Sequence, residues 1–203
     1  MGGEVPKQYL SLLGRTVIAH TLECLCNHPR ISGVVVAIAA DDRWWSQIAL
    51  EFATTPMVVD GGTERRDSVL NGLAELSSHA SDDDWVLVHD AARPCLSVAS
   101  LHNLLDLGLA SESGAILAVP VNDTLKLADD SGFIEHTVDR SRYWVAQTPQ
   151  LFRITELAAN LESALSRGLL PTDEASAMEA AGVHPLLVQG AATNIKITSQ
   201  GMF

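Results

Sequence analysis

Three cysteines in 203 residues (Cys24, Cys26 and Cys95) are too few and too oddly spaced for a disulfide frame or a four-ligand zinc site. They read instead as reduced core residues of a reducing compartment. Basic residues are scarce too: 13 Lys and Arg stand against 25 Asp and Glu, a formal net charge of -12. A field of that sign repels phosphates and nucleic acid, so an anionic ligand needs a local basic pocket or a metal. No apolar run approaches the roughly 18 residues that span a bilayer, and the longest, such as Ala115 to Val121, fall far short. No charged segment followed by an apolar one opens the chain in the manner of a secretory signal. Together these absences predict a soluble, unprocessed, cytoplasmic protein with neither membrane nor nucleic acid as partner. No Ser-His-Asp spacing, paired-histidine metal helix or Walker loop is present, and the seven histidines are scattered, so hydrolytic triads and zinc chemistry drop out. No repeat, low-complexity tract or linker divides the chain, and its length suits one α/β domain over 1–203.

What is present centres on Val86 to Arg93, read Val-Leu-Val-His-Asp-Ala-Ala-Arg. Trp85 to Val88 is an apolar run too short for a helix, which predicts a strand buried on both faces. His89, Asp90 and Arg93 follow at once, and Pro94 stops any smooth continuation. Open α/β sheets bind ligands at the carboxyl ends of their strands. An Asp there can hold a divalent metal, and an Arg three residues on can take a phosphate. The competing structural reading has Asp90 capping the next helix with Arg93 paired to it.

Around this centre helices and strands alternate. Thr16 caps a helix carrying Ile18, Leu22 and Leu25 inward, ended by His28-Pro29, and Val34 to Ile38 is a buried strand. Asp41 starts a helix facing inward through Trp45, Ile48 and Phe52, and Met57 to Val59 is a short strand. Asp60-Gly-Gly-Thr-Glu-Arg is a glycine turn feeding a helix, either a plain corner or one whose amides face an anion. Ser97 or Ser100 caps a helix on Leu101, Leu104 and Leu105, and Ala115 to Val121 is a buried strand. The rhythm breaks over 124–138, where two short strands around Asp-Asp-Ser-Gly form a hairpin arm at about 121–143, a candidate dimer contact. Gln147-Thr-Pro-Gln150 reads as an extended polar stretch. Thr155 caps a helix on Leu157, Leu161 and Leu165 that Gly168 ends, and Thr172-Asp-Glu174 caps a short helix reaching Gly182. Leu186 to Val188 and Asn194 to Thr198 are the closing strands. Lys196 lies between Ile195 and Ile197 and on the opposite face from both, as a solvated lysine or a phosphate ligand.

The polar residues left at strand ends are Lys7, Gly62, Thr63, Arg65, Ser68, Asp90, Arg93, Thr124, Arg140, Thr148, Thr172 and Lys196. They fall within eight segments: Pro-Lys-Gln-Tyr-Leu (Pro6 to Leu10), Asp-Gly-Gly-Thr-Glu-Arg (Asp60 to Arg65) with Asp67-Ser-Val, Val-His-Asp-Ala-Ala-Arg-Pro (Val88 to Pro94), Asp-Thr-Leu-Lys (Asp123 to Lys126), Thr-Val-Asp-Arg (Thr137 to Arg140), Gln-Thr-Pro-Gln (Gln147 to Gln150), Thr-Asp-Glu-Ala-Ser (Thr172 to Ser176) and Asn-Ile-Lys-Ile-Thr (Asn194 to Thr198). In this order and spacing they resemble the 2-C-methyl-D-erythritol 4-phosphate cytidylyltransferases of the non-mevalonate isoprenoid pathway, over Met1 to Thr198. Each segment alone is weak, and the collinear set is specific.

The resemblance implies a Rossmann-like nucleotidyltransferase three-layer sandwich, homodimeric through the arm. It would join CTP to methylerythritol phosphate with magnesium, releasing pyrophosphate. By matching positions, Lys7 would hold the triphosphate and stabilise charge at the α-phosphorus. Gly62, Thr63 and Ser68 would surround the cytosine, Ala91 would join the nucleotide site, and Asp90 would bind magnesium. Arg93 would place the substrates, while Thr124, Arg140, Thr148, Thr172 and Lys196 would bind the acceptor. Arg140 would reach across from the partner's arm, and Lys7, Arg140 and Lys196 would be the catalytic cations. No protein nucleophile is needed, because the attacking phosphate oxygen is already anionic. The alternatives are another acceptor such as ribitol 5-phosphate, or a non-catalytic fragment that only dimerises. The family also carries a first strand and glycine-rich loop ahead of Pro6 to Leu10, and a helix where Ser199 to Phe203 stands. Without that strand and loop, the expectation is two strands unpaired along one edge beside Asp90, weak CTP binding and little turnover until they are supplied.

Overall fold

The structure, a computed structural model, describes residues 5–49 and 51–198. Met1 to Glu4 and Ser199 to Phe203, on which the readings of the two ends fall, lie outside the described residues.

Its strands are β1 (Ser11–Leu12), β2 (Arg15–Thr16), β3 (Val35–Ile38), β4 (Met57–Asp60), β5 (Trp85–Val88), β6 (Ala115–Pro120), β7 (Leu125–Ala128), β8 (Ile134–Val138), β9 (Trp144–Arg153) and β10 (Leu186–Gln189). The helices are α1 (Val17–Cys26), α2 (Arg65–Ser77), α3 (Val98–Gly108), α4 (Ile154–Ser166) and α5 (Glu174–Ala180). The caps follow side-chain chemistry. Thr16 accepts from the Ala19 amide to start α1, Ser97 rather than Ser100 accepts at the head of α3, and Asp173 caps α5.

The main sheet runs β10-β6-β9-β5, with β10 parallel to β6 and β9 antiparallel to both its neighbours. Alternation along its strands builds three layers. Ile116 of β6 and Phe152 of β9 point to one face, where they pack with Leu157 and Leu161 of α4 and Met178 of α5. Ala115, Leu117 and Leu151 point to the other, under Leu101, Leu104 and Leu105 of α3. β3 and β4 form a separate parallel pair, and β7 and β8 form the hairpin arm, whose residues are largely exposed. This is the α/β sandwich with a projecting arm that the sequence predicts.

Five expectations need correction. No α-helix follows Asp41: a single 3-10 turn, Trp45–Gln47, stands there. The Asp42 carboxylate takes the amides of Trp44 and Trp45 at 2.9 and 2.8 Å and the Tyr9 hydroxyl at 2.8 Å, tightening the chain into one turn. Trp45, Ile48 and Phe52 still pack inward, against Tyr9 and Val36. The polar stretch Gln147 to Gln150 lies inside β9, with Gln147, Thr148 and Gln150 buried and a cis Thr148–Pro149 bond. Asn194 to Thr198 makes no ladder, and Ile195 is 44% exposed where Ile197 is 3%, so strand alternation does not place Lys196. Thr155 does not cap α4: Arg153 is the N-cap, and the Thr155 hydroxyl donates to the Asp82 carbonyl. Cys95 is exposed, not core, because it lies in the loop after Pro94.

β3 bonds to β4 alone and β5 to β9 alone among the described residues, and their remaining edges flank a cavity of about 940 Å³. Val34 to Ala37 and Trp85 to Val88 form its sides, and Leu22 and Leu25 of α1 with Val69, Leu73 and Leu76 of α2 cover it. The two strands point the same way, since Arg65, shortly after β4, reaches Asp90, just after β5. The slot explains why β5 is only half-buried apart from Val86, although its composition predicts burial on both faces. Backbone groups on such edges have no ladder partner among the described residues. In native-state hydrogen exchange, slot-facing amides of β3 and β5 are therefore expected to exchange much faster than ladder amides of β6 and β9. Equal protection would show that the edges are closed in solution.

Candidate active site

β5 delivers Asp90 to the mouth of this slot, and three cations meet on its carboxylate. Arg65 Nε lies 3.4 Å from Oδ1, while Arg93 Nε and Lys196 Nζ lie 3.2 and 3.0 Å from Oδ2. Burial works to raise the pKa of Asp90, and the hydrogen bond and charge of Lys196, with Arg65 and Arg93, outweigh it and hold the carboxyl below the usual range. In a chain with so few cations, this convergence makes a local positive region inside a negative molecule.

The backbone at this point is fixed by a bracket. His89 sets its Nε2 against the Arg93 carbonyl at 3.3 Å, so that nitrogen carries the hydrogen. Nδ1 then accepts from the Thr148 hydroxyl at 2.9 Å, and Thr148 Oγ1 accepts from the Asp90 amide at 3.0 Å. Loss of hydration pushes the imidazole down to about 4, so His89 serves as a neutral strut. Asn194, fully buried, holds the opposite side. Its Nδ2 donates to the Thr148 carbonyl at 2.9 Å, and its own carbonyl accepts from Arg93 Nη1 at 2.6 Å.

The glycine turn forms the third wall. The Gly62 amide donates to Ser68 Oγ at 3.0 Å, and Glu64 and Asp67 make a reciprocal capping box at the head of α2. A β-carbon on Gly62 would collide with the Asp67 side chain, so this turn closes only around glycine. The amides of Asp67 and Ser68 are taken by Glu64, so the helix start offers a ligand the turn itself and the Arg65 side chain. That side chain is clamped by Glu174, a 1%-exposed carboxylate whose oxygens lie 2.5 and 2.9 Å from Nη1 and Nη2. Gln150 braces the same corner, accepting from the Ala175 amide at 2.8 Å and donating to Asp173 at 2.9 Å.

Most of the residues singled out in the sequence meet here. Lys7, Ser68, Asp90, Ala91 and Lys196 line the slot, Arg93 is bonded to Asp90, and exposed Gly62 and Thr63 stand in the adjoining turn. Thr172 is exposed one residue before the α5 cap. Thr148 is buried, with its hydroxyl engaged by His89 and Asp90. Thr124 and Arg140 lie on the exposed arm, away from the Asp90 hydrogen-bond network. The sequence reading omits Glu174, His89, Gln147 and Asn194 from the site, and gives Arg65 no role in it. The available signal was Glu174 within Thr172 to Ser176: a carboxylate beside apolar Ala175 and Ala177 needs a buried cation.

No group of three His, Cys, Asp or Glu among the described residues could hold a metal ion. Asp90 alone suits a magnesium ion that takes one carboxylate and draws its other ligands from phosphates and water.

The structure is an α/β protein with a cluster of cations gathered on a carboxylate just past the end of β5. The sequence profile of the 2-C-methyl-D-erythritol 4-phosphate cytidylyltransferase (IspD) family matches residues 1–202. Curated proteins of that name from Halorhodospira halophila and Hahella chejuensis are 52% and 46% identical, each aligned with 98% of this chain and with 83% and 82% of their own lengths. The crystal structure of a 4-diphosphocytidyl-2C-methyl-D-erythritol synthase superposes with a TM-score of 0.86 at 41% identity, over 96% of this chain and 89% of that one. The Francisella tularensis cytidylyltransferase does so at 0.84 and 37% identity, over 98% and 90%. This chain belongs to the 2-C-methyl-D-erythritol 4-phosphate cytidylyltransferase family, whose members are nucleotidyltransferases.

Asn194 joins the β9 interior to Arg93, and replacing it strands the Thr148 carbonyl. Asn194→Ala is expected to lower unfolding free energy by about 1–3 kcal/mol, read from urea midpoints. An unchanged midpoint would mean that water replaces the lost bonds.

Proposed function

We propose that this chain transfers the cytidylyl group of CTP to 2-C-methyl-D-erythritol 4-phosphate, releasing pyrophosphate, as a magnesium-dependent cytoplasmic homodimer. The observation that carries the reading is the meeting of Arg65, Arg93 and Lys196 on Asp90 at the end of β5, with Lys7 on the same cavity. The acceptor phosphate attacks the α-phosphorus and needs no strong base, so the barrier is largely repulsion between polyanions. Two like charges 4 Å apart repel by about 4 kcal/mol at an effective dielectric of about 20. Lys7 neutralises the triphosphate, and the Gly62–Thr63 turn with Ser68 and Ala91 takes the nucleoside. Arg93, Lys196, Thr172 and Arg140 bind the acceptor, with Thr124 beside them on the arm and Thr148 behind Asp90. A magnesium ion on Asp90 supplies further positive charge to the phosphates.

Pyrophosphate release with CTP, the acceptor and magnesium tests the reading. CTP- and acceptor-dependent release is expected. No product would overturn it, and preference for ribitol 5-phosphate would reassign the acceptor.

Two variants test the roles. Asp90→Ala should lose about a hundredfold or more in turnover while keeping its circular dichroism, and its CTP affinity should no longer respond to magnesium. Retained magnesium dependence would refute the metal assignment.

Arg140 stands at the base of the exposed arm, where a partner subunit would receive it. Mixing Arg140→Ala with Lys7→Ala protein is expected to restore about one intact site per heterodimer. No recovery, with subunit exchange demonstrated, would place Arg140 in its own subunit's site.

A further inference from the structure

Glu174 is a carboxylate at 1% exposure, seated at the first turn of α5 and facing a guanidinium from the first turn of α2. A buried charge of this kind is costly unless paired and fully bonded. Here both carboxylate oxygens meet the Nη pair of Arg65, the forked geometry that fixes a guanidinium in orientation as well as position. The clamp leaves Nε free to face outward, and Nε is the atom that meets Asp90 Oδ1 at 3.4 Å. One outward N–H also remains on each Nη, beside the cavity that Ser68, Lys7 and Lys196 line.

The three cations on Asp90 are not equivalent. Arg93 has a second anchor in the Asn194 carbonyl and Arg65 has one in Glu174, whereas no further partner of Lys196 is found among the described residues. Burial works to lower the pKa of Arg65, and the hydrogen bond and charge of Glu174, together with those of Asp90, outweigh it and raise it, so Arg65 remains a fixed positive charge.

We propose that Arg65 is a nucleotide-phosphate binding residue and that Glu174 is its positioning residue, holding the guanidinium between Asp90 and the bound triphosphate. The assignment rests on the cytidylyltransferase reading and deepens it. It gives the Thr172 to Ser176 segment a second role, since the segment that presents Thr172 also carries the anchor for the nucleotide half of the site. A lysine at position 65 would keep the charge but could not bridge two carboxylates and a phosphate from one planar fork.

The test uses the full chain and the variants Glu174→Gln, Arg65→Met, Arg65→Lys and the double variant Glu174→Gln/Arg65→Met. In ¹H–¹⁵N spectra near neutral pH, Arg65 Nε–H should be slow to exchange in the wild type and lost to exchange in Glu174→Gln. Calorimetric titration of magnesium–CTP should show affinity falling about tenfold or more in Glu174→Gln, Arg65→Met and Arg65→Lys alike. The double variant should be no weaker than Arg65→Met, because Glu174 acts through Arg65. Steady-state KM should rise for CTP and stay unchanged for the acceptor. Equal CTP affinity in wild type and Glu174→Gln, additive losses in the double variant, or an Arg65→Lys protein that binds normally would each overturn the proposal, even if unfolding midpoints drop. A wild-type chain that binds CTP without transferring it would overturn the reaction alone and leave the binding comparison to decide on Glu174.

Discussion

One carboxylate organises the site. Asp90 gathers cations from three distant segments, at 65, 93 and 196, which would otherwise repel one another at the head of the sheet. The carboxylate also satisfies the demand that a half-buried cation be paired. The surroundings are built to hold it still: His89 and Thr148 fix its backbone, Asn194 fixes Arg93, and Glu174 fixes Arg65. The arrangement concentrates positive charge in a molecule of net charge -12 without leaving a bare cationic surface. A phosphate that enters meets donors already aimed, which lowers the reorganisation a looser site would undergo.

Elements whose stability is local were legible in the sequence. The caps at Thr16, Ser97 and Asp173 and the strands β3, β5, β6 and β10 stand where side-chain chemistry and apolar runs put them, within a residue or two. β9 was hidden because its centre is polar. Gln147 donates to the Ala191 carbonyl, Thr148 to His89, and Gln150 to Asp173, all partners from remote parts of the chain. A buried polar residue is acceptable only with such partners, and a linear pattern shows the polarity but not who satisfies it. The same reason explains Asn194 to Thr198. Its residues read as a strand, but Ile197 makes its backbone bond to the Ala92 carbonyl, and Asn194 and Lys196 turn to Arg93 and Asp90.

The residues of the site divide in the same way. Positions that would touch a ligand are written in short motifs, because glycine turns and strand-end charges have local signatures. Positions that hold those residues in place are not. In the linear pattern Arg65 is one more charge at a helix start, and only the fold brings Glu174, 109 residues later, to grip it. Composition nonetheless limited the search: with 13 basic residues in the whole chain, three on one carboxylate cannot be a background of solvated lysines.

The slot between β3 and β5 bears on the chemistry as well as on the fold. It opens along the apolar flanks of both strands and ends at Asp90, so its contents set the dielectric under the cation cluster. Water there would weaken each charge–charge interaction at 4 Å to about 1 kcal/mol, whereas a protein-like filling restores about 4 kcal/mol. A parallel strand suits the space best, because only backbone N–H and C=O groups spaced along a strand can pair with both edges at once. Such a strand would remove water from beneath Asp90, bond the pair β3–β4 to the main sheet, and join the glycine turn after β4 rigidly to the end of β5. The two halves of the site would then be held by one continuous sheet in addition to the Arg65 bridge, and sheet integrity and phosphate affinity would rise together.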